Sequence, residues 1–443
     1  MRLIKNVSIF TGGEDKEYIE NGAIKFNEKI LKIYRNEKEV DNECSEIIDG
    51  KGKLLLPGFI ISHDHLYSVL ARGIGIEEKP PRNFYEILDK LWWKLDLALD
   101  RESIYYSALI GMIDAIKSGV TTIIDHHASY GYILYSLDEI ERAQKELNIR
   151  VSTCFEVSDR WGEEKSKESI KENLRFIEKH MKKVDKMVAP TFGIHALFTI
   201  NEKTLKDISD IGKSLNTSFH VHLAEDRFDR DYNIRLFNKS PVERLYQENM
   251  LNKKTLLIHC VHIDENDREL IKEKDSIVIH NPESNMNNAV GLPDIFSILN
   301  KNILVGLGTD GFTQDIIREA DLLYIAHKHN KMNPNIGFNE SYKLIFENNP
   351  KIAERIFEEK IGVIRENYVS DFILLDYKPP TPINSDNFFG HFIFGLSSRF
   401  VTDVFINGKE VLKNREILGV DEEKVFKETQ KVAKKLWERF ESL

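Results

Sequence analysis

Cysteine is scarce in this sequence of 443 residues, and its three cysteines lie far apart. Cys44, Cys154 and Cys260 form no Cys-x-x-Cys motif, which argues against a zinc–thiolate site. An odd number of widely spaced cysteines does not suit a disulfide framework and is typical of a reducing compartment. We therefore expect a cytoplasmic protein without disulfide bonds.

Long apolar runs and basic blocks are missing as well. No apolar run approaches the roughly 20 residues that cross a bilayer, and the N-terminus lacks the apolar segment of a signal peptide. The 72 acidic residues outnumber the 62 basic ones and give a net charge of −10. A negative surface argues against a nucleic-acid backbone as the main partner. We expect neither a membrane nor a nucleic acid as a partner.

A glycine-rich phosphate loop is also absent after the first apolar run. Eight such runs alternate with amphipathic helical stretches, and they occupy residues 55–63, 121–125, 150–157, 186–195, 217–223, 255–260, 276–281 and 303–310. This alternation predicts an α/β fold, a closed (β/α)8 TIM barrel. An open doubly wound sheet is the alternative, but it would usually carry the missing glycine-rich loop.

Both ends of the chain have short strand patterns, and Asn407-Gly408 suits a tight hairpin turn. Residues 1–56 and 361–415 are therefore predicted to form one small composite β-sandwich domain. Residues 57–360 would form the barrel, with an insertion at 82–100 over its mouth. Residues 416–443 are predicted to be a helix packed on the exterior.

Metal-ligating side chains end several of the predicted strands. His63 and His65 end the first strand, His222 the fifth and Asp310 the eighth. Because alternate residues on a strand point to the same side, both early histidines can reach one ion while Asp64 points away. The carboxyl ends of barrel strands converge on one mouth, so these four side chains are expected to meet.

The set of three imidazoles and one carboxylate limits which metal ions the site would bind. Such a ligand set suits Zn²⁺ or Fe²⁺, and the lack of thiolates disfavours copper(I) and iron–sulfur chemistry. Water in an open position beside such an ion can ionise near neutral pH. Taken alone, Asp310 could instead cap the next helix. Glu225 and His259 follow the fifth and sixth strands and are expected beside the metal site.

Three further candidates for substrate contact each have a structural alternative. Trp92 could cover a planar base, or it could anchor the insertion to the barrel. Glu156 could bind substrate amines, while the neighbouring Asp159 and Arg160 could form an ion pair at the rim. Asn285 could line the pocket, although loop asparagines usually satisfy backbone groups. The roles of His126 and His127 stay open.

A set of motifs covers the predicted barrel from end to end: PGFIISHDH, SGVTTIID, FGIHALFT, HVHLAED, LLIHCVH, HNPESNMNNAVG and GLGTDG. Together with SDFILLDY and DVFINGKEVL, the set resembles the amidohydrolase superfamily in its cytosine/guanine deaminase and chlorohydrolase-like branch. A narrower group, HLYSVLARG, PPRNFYEILDKLWWKLD, DHHASY and GHFIFGLSSR, resembles the SsnA-type aminohydrolases of selenium-dependent molybdenum hydroxylase gene clusters. That likeness implies a role in selenium metabolism or purine catabolism.

The resemblance implies a role for each site residue. It makes His63, His65, His222 and Asp310 the metal ligands. Glu225 would carry protons, His259 and Asp310 would activate water and stabilise developing charge, and His195 would contact the substrate. The binuclear branch of the superfamily has a carboxylated lysine at the end of strand four. The corresponding stretch, APTFGIHALFT, has no lysine, so we expect one divalent ion, Zn²⁺ or Fe²⁺.

The expected activity is hydrolytic deamination of a planar nitrogen heterocycle, purine-like by resemblance, with release of ammonia. The same site could instead expel chloride or open a cyclic amide, because all three reactions use attack by activated water. A non-catalytic binding protein on the same fold is the alternative from another class, although such a protein should have lost ligands. We expect a homodimer that binds a small heterocyclic substrate.

Overall fold

The computed structural model describes residues 1–41, 43–75, 79–181, 186–215 and 217–443. The strands are β1 (Arg2–Phe10), β2 (Tyr18–Phe26), β3 (Ile30–Tyr34), β4 (Glu46–Pro57), β5 (Phe59–Asp64), β6 (Val120–Asp125), β7 (Arg150–Thr153), β8 (Val188–Pro190), β9 (Phe192–Ala196), β10 (Phe219–Leu223), β11 (Leu256–His259), β12 (Ile277–His280), β13 (Leu304–Leu307), β14 (Phe372–Leu375), β15 (Val401–Ile406), β16 (Lys409–Lys413) and β17 (Glu416–Ile417).

The helices connect and cover these strands. They are α1 (Phe84–Ile87), α2 (Trp93–Ala98), α3 (Arg101–Lys117), α4 (Ser136–Leu147), α5 (Glu163–His180), α6 (Glu202–Leu215), α7 (Arg227–Phe237), α8 (Pro241–Gln247), α9 (Glu265–Glu273), α10 (Pro282–Asn287), α11 (Ile295–Asn300), α12 (Ile316–Lys331), α13 (Phe338–Tyr342), α14 (Asn349–Phe357), α15 (Phe388–Gly395) and α16 (Glu422–Ser442). Two π-helical turns occupy Leu88–Trp92 and Lys343–Asn348. No helix of the described residues is long and apolar enough to span a bilayer.

The two ends of the chain contribute to one eight-stranded sheet, in the order β17-β16-β15-β14-β4-β1-β2-β3. Strand β4 lies near its centre, parallel to β1 and antiparallel to β14. Apolar side chains from both ends form a common core, in which Ile4 and Ile9 pack with Phe372 and Phe405. The N-terminal strands therefore supply the partners that the C-terminal strands need.

Deleting residues 1–50 is expected to give insoluble protein. The deletion removes β1, β2 and β3 and part of β4, so the apolar face of β14 and β15 loses its partners and an unpaired strand edge is exposed. The measurement is the soluble fraction after expression, compared with the full chain. A soluble, active truncation would show that the C-terminal strands fold without the N-terminal ones.

The central part of the chain forms two parallel sheets, in the orders β5-β6-β7-β8 and β13-β12-β11-β10-β9. Their strands are buried, which explains why they are nearly continuous apolar runs in the sequence. Single parallel bridges join the two sheets, Asp64 with Asp310 on one side and Val157 with Ile194 on the other. The carboxyl ends of all nine segments therefore face the same side of the molecule.

The predicted first strand, 55–63, is divided between the terminal sheet and the parallel sheet that begins with β5. Residues up to Pro57 belong to β4 of the terminal sheet, and β5 begins at Phe59. Gly58 lies at the change of direction, where a Cβ atom would come within 2.3 Å of the Thr121 side chain. A continuous apolar pattern concealed this break, because both strands are buried.

Helix α16 packs against α3 and α2 and buries Leu436 and Phe440. Its Trp437 Nε1 donates to the carbonyl of Leu70 at 2.8 Å, and Arg439 Nε donates to that of Ala98 at 2.7 Å. The C-terminal helix thus holds the segment that follows β5 and the end of α2. Both of these segments reach the cavity described next.

Candidate metal centre and active site

Three imidazoles and one carboxylate converge where the parallel strands end. The Nε2 atoms of His65 and His222 are 3.1 Å apart, and His65 Nε2 lies 3.1 Å from Asp310 Oδ1. His63 Nε2 lies 3.7 Å from the same oxygen. All four residues are buried. The four residues expected as ligands therefore meet around one point.

The other ring nitrogen of each histidine is held by a hydrogen bond. His65 Nδ1 is 2.6 Å from the carbonyl oxygen of His126, and His222 Nδ1 is 2.9 Å from that of His195. His63 Nδ1 lies 2.8 Å from His220 Nε2. A carbonyl on Nδ1 fixes the tautomer that leaves Nε2 as the electron-pair donor, the usual arrangement behind metal-binding histidines.

These residues fit a divalent cation. His63 Nε2 is buried and has no hydrogen-bond partner, although it points at the common position. The donor atoms of His63, His65 and Asp310 all lie within 4.8 Å of one another, and so do those of His63, His222 and His259. Burial lowers the pKa of His63 to about 4 and that of His222 well below its usual value. The neutral rings are the form that binds a metal.

The charge of Asp310 acts on its neighbours. Burial lowers the pKa of His65, but the hydrogen bond and charge of Asp310 outweigh it and raise this pKa to about 9. A cation at the shared position would compete with that proton, which is the usual linkage between metal and proton binding.

Asp310 itself has a φ of +54°. Helix α12 is capped by Asp315, so Asp310 does not serve as a helix cap.

His259 and Glu225 lie beside the four expected ligands. His259 Nε2 lies 3.4 Å from Glu225 Oε2 and 3.6 Å from Asp310 Oδ2. The pKa of Glu225 is well above its usual range, because burial and then the charge of Asp310 disfavour the ionised carboxylate. A carboxyl group whose pKa is raised from its usual range suits an acid–base role.

Asn285 lies behind His259, away from the cavity lining. Its Nδ2 is 2.9 Å from His259 Nδ1, and the side chain is fully buried. The neighbouring Asn281 amide approaches the same nitrogen at 3.3 Å. The amides donate to Nδ1, so the His259 proton is on Nε2, facing Glu225 and Asp310. The structure thus places Asn285 against His259, whereas Asn288, bonded to Glu225 Oε1 at 3.4 Å, lines the cavity.

A cavity opens over the expected metal ligands, with an empty volume of about 820 Å³ including its mouth. His195, Trp92 and Glu156, three of the residues expected to contact substrate, line it. Aromatic rings from α1, the π-helical turn at Leu88–Trp92 and α2 form one wall. The expected insertion therefore covers the site.

A buried ion-pair cluster stands behind that wall. Arg160 bonds both Glu156 and Asp96, and its guanidinium lies 4.6 Å from the ring centroid of Tyr130. Asp159, which was considered as a partner for Arg160, instead accepts hydrogen bonds from Asn201 and Thr204. The ion pair considered between Asp159 and Arg160 therefore does not form, and Arg160 pairs with Glu156 and Asp96 instead.

The remaining polar residues near the site point elsewhere. Asp64 accepts from Thr309 Oγ1 at 2.7 Å, and burial raises its pKa to about 8. Burial therefore favours the uncharged form of this carboxyl group. His126 Nε2 faces two backbone carbonyls at 3.2 Å, and His127 Nε2 lies 2.8 Å from Ser129 Oγ. Neither histidine lines the cavity.

His220 and Asp96 are two of the residues near the site whose roles we did not predict. His220 supports His63, and its position two residues before His222 on β10 was the available signal, since both side chains point inward. Asp96 lies on α2 within an apolar pattern, and nothing in the sequence relates it to Arg160.

The chain is similar over its full length to proteins named as deaminases. It is 30% identical to a 5′-deoxyadenosine deaminase of Methanocaldococcus jannaschii, over 98% of this chain and 99% of that protein. It is 28% identical to a 5-methylthioadenosine/S-adenosylhomocysteine deaminase of Thermoanaerobacter pseudethanolicus, over 99% of each.

Solved structures share the fold at lower identity. An adenosine deaminase from Xanthomonas campestris with bound zinc has a TM-score of 0.85 and 18% identity, covering 100% of this chain and 99% of that one. An atrazine chlorohydrolase from Arthrobacter aurescens, complexed with zinc, has a TM-score of 0.82 and 19% identity, covering 98% and 100%.

Residues 54–411 match the sequence profile of the Amidohydrolase family. This match spans both parallel sheets and includes every residue of the site, but of the terminal sheet it covers only β14, β15 and parts of β4 and β16. The resemblance of the barrel motifs to the amidohydrolase superfamily is thus confirmed. The chain belongs to the amidohydrolase family and is a hydrolase of carbon–nitrogen bonds.

Proposed function

We propose that the protein is a metal-dependent aminohydrolase that removes the amino group from the adenine ring of an adenosine-type nucleoside. The observation that carries this proposal is the convergence of His63, His65, His222 and Asp310 beneath a cavity that also holds Glu225 and His259. The full-length relatives named as deaminases of adenine nucleosides support the substrate class.

His63, His65, His222 and Asp310 would hold one divalent ion, with Zn²⁺ favoured and Fe²⁺ the alternative. When bound, such an ion supplies Lewis acidity and lets water ionise near neutral pH. The zinc-bound structures that share this fold support the choice of metal.

The side chains around that position would move the protons. Glu225 accepts a proton from the attacking water and delivers it to a ring nitrogen of the substrate. The water oxygen adds to the carbon that bears the amino group, the carbon–nitrogen bond breaks and ammonia leaves with a second proton. His259 donates its Nε2–H toward the developing negative charge, and Asp310 helps to deprotonate the water. Asn285 keeps His259 in the required tautomer.

The cavity walls would hold the planar base. Trp92 and Trp93 cover one side, and His195 lies with its ring centroid 6.0 Å from that of Trp93. His195 Nδ1 contacts Thr199 Oγ1 at 3.0 Å, so its other nitrogen is left for a substrate. Burial lowers the pKa of His195 to about 4 and keeps the ring neutral.

Deamination is favoured over chloride removal or cyclic amide hydrolysis for one reason. The relatives that align over the whole chain are named as deaminases, whereas the chlorohydrolase shares the fold at 19% identity. A binding protein without catalysis is disfavoured because all four expected ligands and Glu225 are present.

The finer architecture is part of the proposal. The two parallel sheets close into one eight-stranded barrel, with β8 and β9 as one interrupted strand, and the terminal sheet forms a composite β-sandwich domain.

Several finer expectations stay predictions. They include the homodimer and the cytoplasmic location. They also include the division of the chain into three parts, which are residues 1–56 with 361–415, residues 57–360 and residues 416–443. The narrower likeness to the SsnA-type aminohydrolases, and with it a role in selenium metabolism or purine catabolism, stays a prediction as well.

The purified protein is expected to contain about one zinc or iron per chain, because one ligand set of the mononuclear type is present. Elemental analysis of protein purified without chelators measures this ratio. Two metal equivalents, both needed for turnover, would contradict the single-ion assignment.

The test of the activity is ammonia release from a panel of compounds by metal-loaded enzyme. Adenosine, 5′-deoxyadenosine and 5′-methylthioadenosine are expected to react, and guanine, cytosine, pterins and aminotriazines to react poorly. The same panel with a Glu225→Gln variant controls for contaminating deaminases. Preferential reaction of an aminotriazine or a free base would overturn the nucleoside assignment.

A further inference from the structure

His63 differs from the other two expected histidine ligands in the group that contacts its second ring nitrogen. The Nδ1 atoms of His65 and His222 each face a backbone carbonyl oxygen. His63 Nδ1 instead lies 2.8 Å from Nε2 of His220. A backbone carbonyl is present whatever the side chain, whereas this contact needs an imidazole at position 220. The hydrogen bond behind His63 therefore depends on a side chain, and a substitution can remove it.

The contact between the two rings fixes where their protons lie when His63 binds a metal. Ligation uses the lone pair on Nε2 of His63, so the proton of this neutral ring is on Nδ1. His63 then donates to His220 Nε2, which carries a lone pair and no proton. If His220 had protons on both nitrogens, two N–H groups would face each other. The proton of a neutral His220 is therefore on its Nδ1.

The proton on His220 Nδ1 has an acceptor of its own. This nitrogen lies 3.8 Å from Sγ of Cys154, and the same sulfur lies 3.9 Å from the backbone carbonyl oxygen of Asp125. A thiol accepts weakly through sulfur and donates weakly through its hydrogen. A chain of hydrogen bonds thus runs from His63 through His220 and Cys154 to the backbone at the end of β6.

Burial makes this chain costly to interrupt. The side chains of His63, His220 and Cys154 are completely buried, so bulk water does not replace a lost partner. The backbone of His220 is fixed as well, because its carbonyl oxygen lies 3.2 Å from His126 Nε2. An N–H group left without an acceptor in such surroundings is destabilised. Loss of the acceptor behind His63 would therefore disfavour the tautomer and ring orientation that ligation requires.

We propose that His220 is a positioning residue of the metal centre, which accepts the hydrogen bond of His63 Nδ1, and that Cys154 keeps His220 in the tautomer that allows this. The inference rests on the proposed metal-dependent reaction and adds two residues that determine the affinity for the ion. His220 does not line the cavity, so it acts through His63 and not on the substrate.

The dissociation constant of Zn²⁺, measured by competition with a chromophoric chelator, tests this inference without reference to turnover. His220→Leu removes the acceptor and is expected to weaken Zn²⁺ binding by about 10- to 100-fold, the usual effect of losing such a partner. His220→Gln places an amide oxygen close to the position of Nε2 and should recover most of the affinity. His180→Leu, which removes a buried histidine of α5 outside the site, is the matched control and should leave the affinity unchanged.

The conservative variant separates positioning from a general need for an imidazole at this place. If His220→Gln lost as much affinity as His220→Leu, the role of the hydrogen bond would be overturned. His220→Asn serves if His220→Leu does not fold. Its shorter side chain places the amide near the position of Nδ1, out of reach of His63, so it should lose affinity where His220→Gln does not.

A double-mutant cycle tests the part of Cys154. Cys154→Ala leaves His220 Nδ1 without its acceptor and is expected to weaken Zn²⁺ binding severalfold. In the His220→Leu background the same change should have no further effect, because the chain is already interrupted. Equal losses in the two backgrounds would overturn the coupling of Cys154 to the metal centre.

Zinc affinity and ammonia release together distinguish this inference from the proposed reaction. Weakened Zn²⁺ binding in His220→Leu, restored in His220→Gln, without ammonia release by the parent would support the role of His220 and overturn deamination. Ammonia release by the parent, with equal Zn²⁺ affinity in His220→Leu, would leave deamination standing and overturn the role of His220. A parent protein that bound neither Zn²⁺ nor Fe²⁺ would overturn both.

Discussion

Replacing Glu225 with glutamine is expected to lower turnover by about 10²- to 10⁴-fold, the usual contribution of a positioned acid–base group. Glutamine keeps the size and hydrogen-bonding reach of the side chain but cannot carry a proton. Asn288 still contacts position 225, and the four ligands are untouched. Metal content and substrate affinity should therefore stay close to those of the parent. Steady-state kinetics, elemental analysis and calorimetry measure the three quantities.

The control for this substitution is Glu163→Gln, the same change on the exposed face of α5, which should leave turnover unaltered. Loss of metal in Glu225→Gln would identify Glu225 as a ligand. Turnover near that of the parent would assign the proton transfer to another group, with His259 the first alternative because it lies 3.4 Å from Glu225.

Substituting His65 or His63 with alanine is expected to remove the metal and leave a folded protein. Each change deletes one of three imidazole ligands, and the apolar cores of the sheets do not depend on either ring. Turnover should fall by at least about 10³-fold, because a Lewis acid worth several kcal/mol is lost. Elemental analysis and circular dichroism measure the metal and the fold.

His329→Ala supplies the comparison, since this exposed histidine near the end of α12 lies outside the site. It should keep both metal and activity. Full metal occupancy in His65→Ala, with normal turnover, would refute the ligand assignment. Unfolding of His63→Ala alone would not refute this assignment, because the His63 ring is completely buried and its loss leaves a void.

Much of the fold could be predicted from local patterns. The amphipathic patterns at 102–118 and 167–183 predict helices, and the structure has α3 at Arg101–Lys117 and α5 at Glu163–His180. Residues 182 and 183 of the second pattern lie outside the described residues. Helical and strand periodicities are local properties of the chain, so they can be recognised in the sequence without tertiary information. The predicted strand 150–157 was less accurate: β7 ends at Thr153, and the following residues make only isolated bridges.

The convergence of the expected metal ligands could be predicted for a related reason. His63, His65 and His222 lie on or just after buried strands, and a parallel fold brings such ends to one side. The position of Asn285 could not be predicted in this way. It follows β12 in the chain, and only the packing of α10 directs its amide at His259 instead of the cavity.

The sequence by itself determined the types of side chain at the strand ends, the alternation of strands and helices, and the chemistry that three imidazoles and a carboxylate can support. Only the tertiary structure decided which buried polar atoms meet. His63 and His220 are 157 positions apart, and Arg160 and Asp96 are 64 apart. Such contacts depend on the register of the strands and the path of the covering segment. These are set by packing of the whole chain, because a buried polar group must find its partner wherever the backbone places one.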